Sequence, residues 1–229
     1  MIMKRQKFHK GHILNSSFEI LEVLKKADLL KDAVHPYWWP NCGTFEVLVG
    51  AILTQQTKWE KVESSLKNLR EHNVLELEKI AEIDIDILAE FIKPSGFYNT
   101  KANRLKMLCE AIVLEFGDFE NFQKVVSRDW LLNQKGVGQE SADAILCYAC
   151  KREVFVVDNY TNKLLKSLGY EFESYEELQE WMIGGIESNL DNINKLYNRE
   201  VDLFTIYSRF HGKIVELGKS KKDIEEIQA

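Results

Sequence analysis

Proline is scarce in this sequence of 229 residues, and long apolar runs are absent. Only Pro36, Pro40 and Pro94 interrupt the chain, which leaves room for many helices. No apolar stretch reaches the roughly 18 residues that a membrane-spanning helix requires, so we expect no membrane contact. Residues 1–14 are basic but lack the apolar core of a secretory signal, so we expect a cytoplasmic protein. We treat residues 1–14 as an arm whose role stays open, and residues 15–229 as a single domain.

Cysteine is also rare, and none follows Cys150. Disulfides are unusual in cytosolic proteins. Cys147 and Cys150 form a C-x-x-C pair inside an apolar helical run over 142–150, with no second pair after it. We interpret them as buried helical thiols, and a metal or redox role is the less favoured alternative. We therefore predict no metal site.

Positive charge is not in excess, since the formal net charge is -6. An acidic chain argues against a nucleic-acid partner, because phosphate contacts favour basic surfaces. The acidic residues, however, concentrate in 76–90, 171–187 and 223–226, whereas 101–106 and 209–222 are more basic. One basic face can lie opposite acidic ones, so the charge balance leaves nucleic-acid binding open.

Strand patterns are nearly absent, and helical periodicity dominates. Val154–Val157 is the only strand-like run and is too short to build a sheet. Ser16 or Ser17 could cap a helix through Leu30, and apolar residues of 45–53 recur at helical spacing. We predict an all-α protein. The other predicted helices cover 58–72, 84–92, 101–116, 119–126, 128–134, 140–150, 159–168, 175–189 and 201–219.

Gly136-Val137-Gly138 separates two of these helices, which we expect to end near Gln134 and to begin near Gln139. The turn is predicted to be too tight for a Cβ at either glycine. Outward-facing backbone N–H groups at such a turn can hold a phosphate without reading sequence. By itself the pattern is more typical of a plain helix–helix turn.

The context of this turn resembles the helix-hairpin-helix of endonuclease III-like DNA glycosylases, although Gln134 and Lys135 stand where that family has Leu-Pro. Leu53-Thr-Gln-Gln-Thr-Lys58, Gly96-Phe-Tyr-Asn-Thr-Lys-Ala102 and Val154-Phe-Val-Val-Asp158 resemble three further segments in the correct order. The resemblance implies an all-α fold with the active site in a cleft between two helical subdomains. The first subdomain would cover about 45–150, and the second would be built from about 15–44 and 151–225. The implied partner is double-stranded DNA.

Asp158 takes a chemical role from this resemblance. Cleavage of an N-glycosidic bond develops positive charge on the deoxyribose, and a nearby carboxylate can stabilise that charge and orient the attacking water. The alternative is that Asp158 only caps the helix over 159–168. Both roles are compatible, because a cap would fix the carboxylate.

Glu140 and the missing downstream cysteines narrow the expected reaction. Bifunctional relatives carry a lysine at the position of Glu140, where its amine forms a Schiff base with the sugar. A carboxylate cannot do this, and Lys135 occupies a different hairpin position. Those relatives also bind an iron–sulfur cluster through cysteines after the catalytic aspartate. We therefore expect a monofunctional enzyme that leaves an abasic site and needs no cofactor.

Tryptophans suggest the substrate. Trp38-Trp39-Pro40 and Arg209-Phe-His-Gly-Lys213 are similar to segments of bacterial 3-methyladenine DNA glycosylases that lack the cluster, a likeness over about 16–220. Indole rings can stack on a cationic N-alkylated purine, although adjacent tryptophans can equally be core residues. The likeness implies a monomer that removes alkylated purines such as 3-methyladenine. The implied base pocket is Trp38, Trp39, Pro40, Trp59 and, more weakly, Lys219; the implied DNA contacts are Gln56 as a wedge, Lys135, Gly136, Val137, Gly138 and Ser141.

Lys213 is predicted to be structural, because it shares a buried helical stripe with Ile206, Phe210 and Leu217. Whether it is paired, neutral or converted to a carbamate stays open, as does binding of a monovalent cation by the hairpin. Two other functions also stay open. One is a glycosylase for another damaged or mismatched base, and the other is a non-catalytic helix-hairpin-helix module that would not need Asp158.

Overall fold

A computed structural model describes residues 14–220 and 222–228, so the basic arm, apart from Leu14, lies outside the described residues. The regular secondary structure within those ranges is entirely helical, which confirms the all-α prediction. The α-helices are α1 Ser17–Lys26, α2 Phe45–Leu53, α3 Trp59–Glu71, α4 Leu77–Glu82, α5 Ile85–Phe91, α6 Tyr98–Phe116, α7 Phe119–Val125, α8 Arg128–Leu132, α9 Gln139–Ala144, α10 Asn159–Ser167, α11 Tyr175–Glu187, α12 Leu190–Tyr197, α13 Leu203–Ser220 and α14 Ile224–Gln228, with a 3-10 turn at Lys93–Ser95 and a π turn at Ile145–Ala149.

Some boundaries differ from the sequence prediction. The predicted helix over 140–150 is α9 followed by the π turn, and α1 ends at Lys26, four residues before Leu30. Three short helices, α4, α12 and α14, were not predicted. Each buries too few apolar side chains to show a periodic pattern; in α12 only Ile193 is buried.

Contacts between Cα atoms divide the chain into two compact units. Pro40–Arg152 form one, which we call the hairpin unit because it contains the Gly136–Gly138 turn. The residues up to Trp39 and from Glu153 onward form the other, which we call the terminal unit.

The hairpin unit is built around α2. Glu46 is half-buried and the other residues of α2 are all buried, so this helix is enclosed on every side. Its apolar sequence, which shows only a weak preference for one face, is typical of a central helix. α6 adds a buried face with Leu105, Leu108 and Ile112.

The terminal unit has a core formed mainly by α1, α10, α11 and α13. The strand-like run belongs to this core as extended backbone without a partner strand. Phe155 and Val157 are buried, and side chains satisfy their backbone groups: Gln179 donates to the Phe155 carbonyl at 2.6 Å, and the Val157 N–H donates to the Tyr175 hydroxyl at 3.3 Å. This segment delivers Asp158 to the start of α10.

The segment between α1 and α2 is held by cations of α13. The Lys213 ammonium is buried and donates to the Leu29 carbonyl, while the Arg209 guanidinium donates to the Leu30 carbonyl at 2.7 Å and also bonds the Pro36 carbonyl. Burial, together with the charges of Arg209 and Lys25, lowers the pKa of Lys213 to about 8. Lys213 is thus buried, as its helical stripe predicted, and its ammonium pairs with a backbone carbonyl.

The cysteines are buried or half-buried thiols. Cys147 lies on the π turn, and Cys150 follows it half-buried. Burial raises the pKa of Cys150 to about 12 and that of Cys42 to about 11, so both are protonated at neutral pH and poor metal ligands. Within the described residues, no group of three His, Cys, Asp or Glu side chains is arranged to hold a metal ion, and no helix is both long and apolar enough to cross a membrane.

Candidate active site and DNA-binding hairpin

Asp158 is the N-cap of α10, and its carboxylate is held from two sides. Oδ1 accepts hydrogen bonds from the backbone N–H and the hydroxyl of Thr161, at 2.8 and 3.0 Å. Oδ2 lies 3.5 Å from Nε2 of His211 on α13. Burial acts to raise the pKa of Asp158, but the interactions with His211 and Thr161 outweigh it and hold that pKa below its usual value. The carboxylate is therefore ionised and oriented, as a charge-stabilising group must be.

His211 is a site residue that the sequence analysis did not single out. It is 3% exposed, and its ring packs against the Trp38 indole in a T-shaped arrangement with centroids 5.2 Å apart. It therefore joins Asp158 to one of the predicted base-pocket residues. Its only signal in the sequence is its position in the Arg209-Phe-His-Gly-Lys213 segment.

The position of the Trp38 indole is set by the backbone conformation of this residue and by its contacts with α13. Its φ of +71° lies in the left-handed region, which a bulky residue seldom occupies. The indole Nε1–H donates to Glu216 Oε1 at 3.0 Å, and the same oxygen accepts from the Lys219 ammonium at 3.0 Å. That ammonium lies 5.6 Å from the centre of the Trp38 ring. Trp39 meets Trp38 edge to face and is only 8% exposed, so it is largely a core residue.

Gly212 leaves the space that the Trp38 indole fills. A Cβ at this position of α13 would lie 2.4 Å from Cγ of Trp38. We expect Gly212→Ala to push the indole from its bond with Glu216 and to slow, about five- to tenfold, the base excision that the sequence resemblance implies. Gly184→Ala is the matched control, because this exposed glycine of α11 has open space around it and should raise the free energy of unfolding by about 0.5–1 kcal/mol.

Single-turnover excision and thermal unfolding of both variants provide the comparison. If Gly212→Ala excises bases at the wild-type rate, then the seating of Trp38 does not matter for the reaction.

The hairpin between α8 and α9 is tied to the end of α2 by Gln55. Its amide Nε2 donates to the Gly136 carbonyl at 2.9 Å and to the Ser141 hydroxyl at 3.0 Å. Its Oε1 accepts from Arg104 at 3.2 Å. Ser141 thus supports the hairpin from inside the protein. Neither Gln55 nor Arg104 was singled out from the sequence, because their partners lie far along the chain.

The two hairpin glycines differ, which corrects the expectation that neither tolerates a Cβ. Gly136 has a φ of +86°, and a Cβ there would lie 2.3 Å from Cδ of Arg104. Gly138 has an ordinary φ of -95° and no atom within 4 Å of an added Cβ. Only Gly136 is required by the fold itself. Lys135 and Gly138 are exposed, whereas the side chain of Val137 is buried and can offer only its backbone.

Gln56, the predicted wedge, is exposed and has a φ of +53°, a strained backbone for a residue other than glycine. Lys101 stabilises the turn that contains Gln56. The buried Lys101 ammonium donates to the Leu53 carbonyl and the Thr57 hydroxyl, both at 2.7 Å, and to the Ser95 carbonyl at 2.9 Å. Burial, together with the charge of Arg104, lowers the pKa of Lys101 to about 8. Lys101 of that sequence segment therefore stabilises the fold of this turn.

The predicted site residues are divided between the two units. Asp158, Trp38, Trp39 and Lys219 lie together in the terminal unit around His211 and Glu216. Glu140 is exposed in the first turn of α9. The predicted residues of the hairpin unit are Pro40, Gln56, Trp59, Lys135, Gly136, Val137, Gly138 and Ser141.

Known proteins resemble this chain over most of its length. The family model described as "HhH-GPD superfamily base excision DNA repair protein" matches residues 49–182. A putative DNA repair glycosylase of Methanocaldococcus jannaschii is 39% identical over 208 residues, 88% of each chain. The crystal structure of H. pylori 3-methyladenine DNA glycosylase bound to 1,N6-ethenoadenine is 52% identical with a TM-score of 0.88, over 91% of this chain and 100% of that one. A trapped endonuclease III–DNA covalent intermediate shares the fold, at 18% identity and a TM-score of 0.68, over 92% and 91% of the two chains. The chain therefore belongs to the HhH-GPD superfamily and is a base excision DNA glycosylase.

Proposed function

We propose that this protein is a monofunctional DNA glycosylase that removes N-alkylated purines such as 3-methyladenine from duplex DNA and leaves an abasic site. The observation that carries the proposal is the oriented, ionised carboxylate of Asp158, which His211 connects to the Trp38 ring. The likeness to a 3-methyladenine DNA glycosylase, at 52% identity, supports the choice of substrate.

In this reaction Asp158 stabilises the sugar. The bond between C1′ and the base nitrogen breaks, and its electron pair leaves with the alkylated base, which departs neutral because it started as a cation. Positive charge moves to C1′ and the ring oxygen, where the carboxylate of Asp158 stabilises it. A water molecule then adds to C1′ and releases a proton. Thr161 holds one carboxylate oxygen, so the group needs little reorganisation as the charge develops.

The base pocket uses aromatic faces. A cationic purine over an indole face gains roughly 0.5–2 kcal/mol, most where water is excluded. Trp38 offers such a face, and Trp39 supports it edge to face. Lys219 lies at the Trp38 ring in the terminal unit, whereas Pro40 and Trp59 of the hairpin unit are candidate base contacts on the sequence resemblance alone. Gln56, exposed on its strained turn, would fill the gap that the flipped base leaves.

DNA is held without regard to sequence. Backbone N–H groups of Gly136, Val137 and Gly138 would bind phosphate, with Lys135 adding charge. Ser141 acts through its bond with Gln55, which fixes the hairpin. Such binding weakens steeply with salt, because phosphate contacts release counterions.

The carboxylate at Glu140 leads us to expect a base and an abasic site as the products of the reaction. With a carboxylate in place of the Schiff-base amine, methylated duplex DNA should lose bases while its strand stays intact until alkali is added. Borohydride should trap no covalent protein–DNA adduct. Gel analysis before and after alkali, with endonuclease III as the positive control for trapping, provides the measurement. A trapped adduct would show that another amine, such as Lys135, attacks the sugar.

A further inference from the structure

Glu216 is the only acidic residue of α13, and it lies at the Trp38 ring. One oxygen of its carboxylate receives two hydrogen bonds, from the indole N–H of Trp38 and from the ammonium of Lys219. Its side chain is 36% exposed and that of Lys219 45%, so both can be reached from solvent. No pattern in the sequence indicates a role for Glu216.

This arrangement places a charge pair beside the proposed stacking face. The Lys219 ammonium lies 5.6 Å from the centre of the Trp38 ring. A cationic base stacked on this ring would therefore lie close to the positive charge of Lys219. Like charges at such distances repel, and a carboxylate 3.0 Å from the ammonium offsets that repulsion. Glu216 also fixes the rotation of the indole through Nε1.

We propose that Glu216 is a specificity-determining residue, whose carboxylate neutralises Lys219 and so admits a positively charged base to the Trp38 face. The inference rests on the proposed function, because it assumes that the flipped base stacks on Trp38. A neutral damaged base has no net charge for Lys219 to repel. Loss of the carboxylate should therefore penalise a cationic base more than a neutral one.

Two measurements distinguish an effect of the Glu216 charge from an effect of its structural support of Trp38. The first is single-turnover excision of 3-methyladenine, which is cationic in DNA, at low enzyme concentration. The second is the dissociation constant of a duplex that carries the neutral base 1,N6-ethenoadenine. Glu216→Gln keeps an oxygen for the Trp38 N–H but removes the charge. We expect its loss on the cationic base to exceed its loss on the neutral base by about tenfold at low salt, where exposed charges are least screened.

Charge compensation gives a second test that does not depend on this variant alone. Lys219→Met should shift the preference toward the cationic base by about threefold, and the double variant Glu216→Gln/Lys219→Met should return within about threefold of the wild-type preference. Glu180→Gln removes an exposed acid of α11 as the matched control and should leave the preference unchanged.

Equal losses on both bases in Glu216→Gln would overturn the inference and leave Glu216 as a structural support of Trp38. If that variant does not fold, an unchanged preference in Lys219→Met overturns it as well. Failure of the proposed function looks different, because the wild-type protein itself would then release no alkylated base.

Discussion

Asp158→Asn should lower the rate of single-turnover base excision by roughly 10²–10³, with DNA binding almost unchanged. The amide keeps an oxygen that can accept the Thr161 hydrogen bonds, so the cap of α10 survives. What disappears is the negative charge that faces the developing sugar cation. Excision on methylated duplex and affinity for a duplex with an abasic-site analogue measure the two effects separately.

Asp202 provides a closely matched control. It directly precedes α13 in the same Asp-x-x-Thr arrangement, in which Thr205 donates its backbone N–H and its hydroxyl to the carboxylate, both at 2.8 Å. Asp202→Asn should therefore show the cost of the same chemical change at a helix start, with excision close to wild type. If a folded Asp158→Asn variant excises bases as fast as the wild type, Asp158 does not take part in the reaction.

Gly136→Val has the second large expected effect, on the hairpin. Its φ of +86° is strained for a β-branched residue, at a cost of about 1–3 kcal/mol, and the new side chain would displace Arg104. We expect a lower free energy of unfolding and an affinity for DNA that falls roughly 10–100-fold for all sequences alike. Denaturant unfolding and binding to duplexes of different sequence provide the measurements.

Gly138→Val separates folding from phosphate binding. The free protein has room for a side chain at this position, so stability should stay near wild type. Affinity for DNA should nevertheless fall, because the side chain would stand where a phosphate approaches the backbone N–H groups. A variant of either glycine that loses affinity for one sequence context only would show that the hairpin does not bind the backbone.

The parts of this protein that follow from sequence are those encoded by local pattern. The helices of 45–53 and 201–219 stood out because their apolar residues repeat at helical spacing. The resemblance of ordered segments then gave Asp158 a chemical role. The exposed, strained backbone of Gln56 is in keeping with its predicted place at the DNA.

What the sequence did not show depends on contacts between distant residues. Trp38 meets His211 and Glu216 only because the segment before α2 is anchored on α13 by Arg209 and Lys213. No periodicity encodes such a pairing. Gln55 is another example, because its role in bracing the hairpin appears only when the turn after α2 is placed beside Gly136.

Chromatography can identify the base that the purified protein releases from methylated duplex DNA, which tests directly whether it is an alkylpurine glycosylase. We expect free 3-methyladenine from the wild-type protein, an intact strand with an abasic site, and release slowed by roughly 10²–10³ in Asp158→Asn. Release of only non-alkylated or mismatched bases, or no release by a folded protein that binds the duplex, would contradict this expectation.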